Sequence, residues 1–198
     1  MDRLGALQLL GREVSGATLG IIGLGRIGRA VVRRARAFEI RVIYWSRSRL
    51  PEVEEASLGV VYADFQALLR EADFVSVHVA YDRQTHHLLG EKEFALMKSS
   101  ACVINTSRGA VLDEGALVRA LQGGQLAGAG LDVYEEEPRL EPALYALENV
   151  VLSPHLGSAT IGTRTRMGMM AVDDLLAACA GKRPVHCVNP EVLSGPGG

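Results

Sequence analysis

GATLGIIGLGRIGRAVVRRARAF, residues 16–38, is the stretch whose reading decides the fold. An apolar run of β-type residues, Leu19 to Ile22, leads straight into Gly23-Leu24-Gly25-Arg26-Ile27-Gly28. A helical pattern follows at once, with Ile27, Val31, Ala35 and Phe38 at three- and four-residue steps as the expected apolar face. A G-x-G-x-x-G set between a strand and a helix reads as a dinucleotide-binding turn; without those flanks it would be only a glycine-rich connection. Each glycine has its own task in that reading. Gly23 makes the tight turn, Gly25 lets the backbone approach a pyrophosphate, and Gly28 lets the helix close on the strand. The helix N-terminus then offers free N–H groups to the phosphates. Gly23, Gly25, Arg26, Ile27 and Gly28 are the expected cofactor contacts here. The other arginines crowded on this helix (Arg29, Arg33, Arg34 and Arg36) read as a solvated face.

Downstream, strand and helix patterns alternate. Strands are predicted at Ala17–Ile22, Arg41–Trp45, Gly59–Tyr62, Phe74–Val79, Ala101–Asn105, Leu126–Leu131 and Val150–Leu152. Helices are predicted at Arg26–Phe38, Glu52–Leu58, Asp64–Arg70 with Asp64 as cap, Gly90–Met97 and Asp113–Gln122. A helical turn at Ala143–Leu147 and a long helix from Ile161 to Ala180, stopped by Gly181 and Pro184, complete the set. The alternation predicts an α/β, Rossmann-type doubly wound parallel sheet with helices on both faces. Met1 to Ser15 is a lead-in in which Leu7, Leu9 and Leu10 are expected to pack on something, and Ser194–Gly198 is a Gly/Pro tail.

The bulk properties narrow the partners. With 198 residues, 48% of them hydrophobic and 22% charged, the chain can build a substantial core. A formal charge of −2 gives no basic bias toward nucleic acid, and no apolar run reaches membrane-span length. Met1-Asp2-Arg3 does not open a signal peptide. Cys102, Cys179 and Cys187 have neither metal spacing nor an even disulfide count, so a reducing cytoplasm and no metal are expected. His78 reads as a sheet-end histidine, and His86 and His87 as surface.

In an NAD-preferring fold an acid closes the second strand and holds the ribose 2′-hydroxyl. Here that strand runs into Ser46-Arg47-Ser48-Arg49, with no acid before Glu52. Ser46, Arg47 and Arg49 suit a 2′-phosphate, so NADP is expected ahead of NAD.

Three later loops, each after a strand, carry reactive side chains: Thr106-Ser107-Arg108-Gly109, Asp132 to Pro138, and Ser153 to Ser158. In such sheets ligands sit at the carboxyl ends of the strands. A nicotinamide at the mouth they form exchanges a hydride, and the charge left on the acceptor calls for a proton donor and a cationic neighbour. Histidine is the donor whose ordinary pKa lies nearest neutrality, and a carboxylate beside it favours the imidazolium. His155 and Arg108 fit those needs, while Glu135, Glu136 and Glu137 are three consecutive acids that spacing alone does not separate.

Taken together, GLGRIG, INTSRGAVLDEGAL, AGAGLDVYEEEP and LSPHLGSAT, in this order, resemble the D-isomer-specific 2-hydroxyacid dehydrogenase family, in its nucleotide-binding half. VIYWSR and HLGSAT are most similar to its glyoxylate/hydroxypyruvate reductase branch. The resemblance implies NAD(P)-dependent reduction of a small 2-keto acid such as glyoxylate or hydroxypyruvate. It implies that Arg108 holds the substrate carboxylate and polarises the carbonyl, that His155 is the acid–base group, and that Glu137 hydrogen-bonds His155. Asp132 would meet the nicotinamide side of the cofactor, with Thr106, Gly157, Arg108 and His155 around its ring. Glu135 and Glu136 would then be solvated. The pattern departs at Ala80-Tyr81-Asp82, where relatives usually carry Pro-Leu-Thr beside the cofactor.

Family members also carry roughly 100 residues before this point, the scale of one further domain. The resemblance therefore implies that the N-terminal substrate-binding domain is largely absent. On this reading residues 1–15 are a lead-in remnant, residues 16–181 the dinucleotide-binding domain, and residues 182–198 a tail that would pack on the substrate domain. It also implies a homodimer, and cofactor binding with weak or no turnover in this chain. The alternative is a non-catalytic NAD(P)-binding module acting as a sensor or assembly subunit.

Overall fold

The computed structural model of the chain describes residues 11–193. The expectations for Leu7, Leu9, Leu10 and the Ser194–Gly198 tail lie outside the described residues. The chain divides into two compact units, one ending at Pro154 and the other starting at His155.

Among the described residues the first unit is built on seven strands: β1 Thr18–Ile22, β2 Arg41–Trp45, β3 Val60–Tyr62, β4 Phe74–Val77, β5 Cys102–Asn105, β6 Gly128–Leu131 and β7 Val150–Leu152. They form one sheet in the order β3-β2-β1-β4-β5-β6-β7, and every pairing is parallel. The order reverses direction between β1 and β4, which is the switch point where doubly wound sheets take their ligands. All five residues of β1 are buried, as a central strand covered on both faces requires. Ile21 packs with Val32, Val42 and Tyr44 in one cluster, and its neighbour Ile22 with Ile43, Leu69, Val75 and Phe94 in the other.

The helices of this unit are α1 Arg26–Ala35, α2 Glu52–Leu58, α3 Phe65–Glu71, α4 Glu91–Phe94 and α5 Glu114–Gln122. α1 corrects the expected apolar face. Gly28, Val32 and Ala35 point inward, while Ile27 is 65% and Phe38 60% exposed. The cause is Gly28, where an added Cβ would overlap the carbonyl oxygen of Gly23 and meet Ile21 Cγ2 at 3.3 Å. That close approach turns the glycine face to the sheet and rotates Ile27 away from it. The helix also tightens to a 3-10 turn over Arg36–Phe38 and ends at Glu39 with φ 56°.

Asp64 sits at the N-cap of α3 but makes no capping hydrogen bond, and it is exposed to water instead. Asp113 does cap α5, accepting from Ala116 N at 2.8 Å. α4 is shorter than expected, because Leu96 and Met97 bond three residues back in a tighter turn. The expected turn near Ala143 is a 3-10 segment, Pro142–Ala146.

The second unit carries α6, Ile161–Cys179, capped by Thr160, whose Oγ1 accepts from Thr163 N. Asp174 binds the following tail, accepting from Val185 N at 2.8 Å and pairing with His186 Nδ1 at 2.9 Å. Among the described residues no helix is long and apolar enough to cross a membrane.

Candidate active site

The strand register lines up one row of residues across the carboxyl edge of the sheet. Trp45 lies opposite Ile22, Ile22 opposite Val77, Val77 opposite Asn105, Asn105 opposite Leu131, and Leu131 opposite Leu152. The next residue of each strand continues the ladder one step. Gly23 N donates to Trp45 O at 2.8 Å, His78 N to Ile22 O at 2.8 Å, Asp132 N to Asn105 O at 3.0 Å and Ser153 N to Leu131 O at 2.9 Å. The glycine turn, Thr106 to Arg108, and Asp132 to Glu137 therefore leave the sheet at one level. His155 follows β7 by sequence and opens the second unit.

The glycine turn fits a dinucleotide. Gly23 has φ +94°, and a Cβ there would come within 2.9 Å of the His78 carbonyl carbon and Val79 N. A Cβ on Gly25 would meet nothing within 4 Å, so there is open space beside the start of α1. That is the room a pyrophosphate needs. Arg26 and Ile27 are exposed at the same helix start.

Beyond β2, Ser46 Oγ accepts from Leu24 N at 2.8 Å and ties the two turns together. Arg49 is committed in part. Its Nε and Nη2 both reach Glu55 at 2.9 Å, and Tyr44 Oη donates to the same carboxylate at 2.7 Å. Glu55 was missed by sequence reasoning, since nothing in EVEEASL marks one acid as turned inward. The Arg49 and Tyr44 hydrogen bonds hold its carboxyl at about 2 against the cost of desolvation. Burial, with the Glu55 carboxylate next in weight, pushes the Tyr44 phenol up to about 12. Arg47 is 64% exposed and bonds Asp82 Oδ2 through Nη1 at 3.1 Å.

The loop after β5 is set by Asn105, which is buried and which sequence reading treated only as a strand end. Its Oδ1 accepts from Ser107 N at 3.0 Å and Ser107 Oγ at 2.9 Å, while Nδ2 donates to Arg108 O at 3.0 Å. Gly109 is buried against the Tyr134 carbonyl, where no side chain would fit. Thr106 and Arg108 are thereby held outward into solvent, and Arg108 Nη1 rests on Ser107 O at 2.6 Å.

Asp132, by contrast, is buried, with Ser153 Oγ donating to its Oδ1 at 2.5 Å. Glu137 is exposed and accepts from Tyr134 N at 3.0 Å. In the second unit His155 and Gly157 are exposed, and His155 has φ 54°. That left-handed conformation is uncommon outside glycine and is enriched at functional positions.

Two expectations for this region are corrected. His87 is not a surface residue: it is half-buried, and its Nε2 lies 2.5 Å from Glu135 Oε1. Glu135 is likewise bound rather than solvated, and its N donates to Glu114 Oε1 at 2.6 Å. Glu114 is buried, and desolvation raises its carboxyl above the ordinary value. Such cross-loop pairs leave no periodic trace in sequence. Glu136 stays exposed as expected.

His78 is neutral at ordinary pH, because burial lowers its imidazole to about 4. Its Nε2 meets Ser76 Oγ at 2.9 Å, and its Nδ1 is buried with no partner among the described residues. His86, His87 and Glu135 form one group that could gather around an ion. The two imidazoles stack at 4.0 Å with planes 21° apart, so their in-plane lone pairs do not converge unless His86 turns.

Residues 4–157 match the family model described as D-isomer specific 2-hydroxyacid dehydrogenase, NAD binding domain. The chain is 50% identical over 188 residues to a glyoxylate reductase of Thermococcus litoralis, covering 95% of this chain and 56% of that protein. It superimposes on the crystal structure of a glyoxylate reductase from Paecilomyes thermophila with a TM-score of 0.81 at 46% identity, covering 85% of this chain and 51% of the other. An NADPH-dependent glyoxylate/hydroxypyruvate reductase from Sinorhizobium meliloti, solved with NADP and malonate, gives 0.77 at 38% identity, covering 82% and 50%. The chain thus spans a little over half the length of the curated relatives it matches. With the NAD(P)-binding sheet, its glycine turn and these matches in agreement, the chain belongs to the D-isomer specific 2-hydroxyacid dehydrogenase family.

Proposed function

We propose that this chain supplies the cofactor half, and the acid–base machinery, of an NAD(P)-dependent reductase of small 2-keto acids such as glyoxylate or hydroxypyruvate. The observation that carries the reading is the single row at the carboxyl edge. It sets the glycine turn, the Arg108 loop and the Glu137 loop at one level beside the β1/β4 switch point.

Gly23, Gly25, Arg26, Ile27 and Gly28, with the N–H groups at the start of α1, would hold the pyrophosphate. Ser46 and Arg47 would meet a 2′-phosphate, with Arg49 backing that turn through Glu55. Asp132, Thr106 and Gly157 serve the nicotinamide end. The nicotinamide supplies the hydride.

The Arg108 guanidinium binds the substrate carboxylate and draws electron density from its carbonyl. His155 gives its ring proton to the carbonyl oxygen as negative charge develops there, and takes it back in the reverse direction. Glu137 orients His155 and favours its protonated form. A cytoplasmic homodimer belongs to the same reading, and sedimentation tests the assembly.

The reading is tested by following NADPH and NADH oxidation against a panel of 2-keto acids. Consumption with glyoxylate or hydroxypyruvate, however slow, that Arg108→Ala abolishes is the expected result. Oxidation that Arg108→Ala leaves at the same rate would overturn it.

A further inference from the structure

We propose that Asp82 sets the cofactor preference of this site by competing with a 2′-phosphate for the Arg47 guanidinium. The inference rests on the reading of the β1/β4 edge as an NAD(P) site and goes beyond it, to a residue that decides between the two dinucleotides.

Arg47 stands two residues past the end of β2, next to Ser46, whose Oγ is fixed on the glycine turn by Leu24 N. This is where the adenosine ribose is read in doubly wound folds. An arginine there suits a 2′-phosphate, yet in this chain its Nη1 is already on Asp82 Oδ2 at 3.1 Å, with Gln84 Oε1 at 3.5 Å. Arg49, the other arginine of the turn, has Nε and Nη2 on Glu55. Both guanidinium groups are therefore paired with carboxylates.

Asp82 is held in place by its own turn. Its Oδ1 accepts from Gln84 N at 2.8 Å and Thr85 N at 3.0 Å. Its own N–H donates to Thr85 Oγ1 at 2.7 Å, and that buried hydroxyl donates on to Ala80 O at 2.8 Å. One oxygen is spent inside the turn and Oδ2 is left facing Arg47. Desolvation works against the carboxylate, but the Gln84 and Thr85 N–H groups and the Arg47 charge outweigh it, so the group stays ionised.

A ribose with a bare 2′-hydroxyl needs no cation and meets a neutralised pair. A 2′-phosphate must share Arg47 with a carboxylate that cannot swing away, and adds like charge beside it. Between solvent-exposed groups a few ångströms apart, such a charge is worth on the order of a fivefold to tenfold change in affinity at low salt, and less as salt screens it.

The test is calorimetric titration with NADPH and NADH, in the whole chain, of wild type, Asp82→Asn, Asp82→Ser and Arg47→Ala. Asn keeps the Oδ1 acceptor and Ser can cap the same turn, so at least one should preserve the fold. In either, the NADPH-over-NADH affinity ratio should rise about fivefold to tenfold at low salt and by about twofold at 0.5 M salt. With Arg47→Ala as background the gain should shrink to the small part that direct repulsion between Asp82 and the phosphate supplies. A ratio unchanged in folded Asp82 variants, or raised equally without Arg47, overturns the inference while dinucleotide binding by wild type keeps the broader reading intact. Failure of wild type to bind either dinucleotide removes both.

Discussion

Asn105 holds Arg108 from beneath: its Nδ2 donates to the Arg108 carbonyl oxygen at 3.0 Å while its Oδ1 takes both the N–H and the hydroxyl of Ser107. A buried amide thus fixes the backbone from which the Arg108 guanidinium projects. Asn105→Ala leaves three groups short of a partner in a buried turn. It should cost about 3 kcal/mol of stability or more, since each buried unsatisfied group costs about 1–3 kcal/mol. Urea unfolding of the variant checks this. A loss below about 0.5 kcal/mol would show that water replaces the amide.

Gly25 and Gly28 separate binding from folding. A methyl group at Gly25 enters open space, whereas one at Gly28 strikes the Gly23 carbonyl oxygen. Gly25→Ala should melt close to wild type and bind NADH and NADPH at least tenfold more weakly (about 1.4 kcal/mol or more). Gly28→Ala should lose stability by about 1–3 kcal/mol, the usual cost of overpacking, before any cofactor is added. Thermal melts with and without cofactor distinguish the two. Equal melting temperatures for both variants would refute the assignment.

The Tyr44–Glu55–Arg49 cluster makes stability depend on pH at both extremes. Glu55 is depressed from 4.5 to about 2 by its hydrogen bonds to Arg49 and Tyr44. Its contribution is complete above pH 4.5 and is lost as pH falls through about 2. Tyr44 is raised from 10.0 to about 12, so its contribution is complete below pH 10.0 and is lost as pH rises through about 12. Glu55→Gln should therefore be less stable than wild type at pH 7, with the gap closing between pH 4.5 and 2. Denaturation midpoints across that range give the answer, and a gap that stays constant would contradict it.

His155→Ala should keep the cofactor and lose turnover by about 10²- to 10⁴-fold, the usual contribution of a positioned acid–base group. Binding and rate measured on the same preparation check this. Unimpaired reduction of glyoxylate in the variant would move the proton transfer to another residue.

The strands and the glycine turn were legible because parallel strands buried on both faces read as continuous apolar runs, TLGII and RVIYW among them. The face of α1 was not, because a glycine is silent in a hydrophobic pattern: Gly28 governs which side meets the sheet. At the site, Arg108 stood out by its place after a strand, whereas only the family resemblance separated Glu137 from Glu135 and Glu136; the row at the carboxyl edge sets the two loops at one level. What could not be read were the supports that join distant loops, such as His87 to Glu135 across 48 residues and Arg47 to Asp82 across 35. Pairing across loops depends on register and turn geometry, which spacing along the chain does not encode.

The β1/β4 edge is proposed to hold a dinucleotide, and the chain carries its own probe. Its one tryptophan, Trp45, ends β2, and its carbonyl accepts from Gly23 N at 2.8 Å in the glycine turn. Titrating the chain with NADH and NADPH while following Trp45 emission should give saturable quenching at micromolar cofactor, weakened in Gly25→Ala. A Trp45 signal and a calorimetric trace that both stay flat up to millimolar concentrations of either cofactor would contradict it.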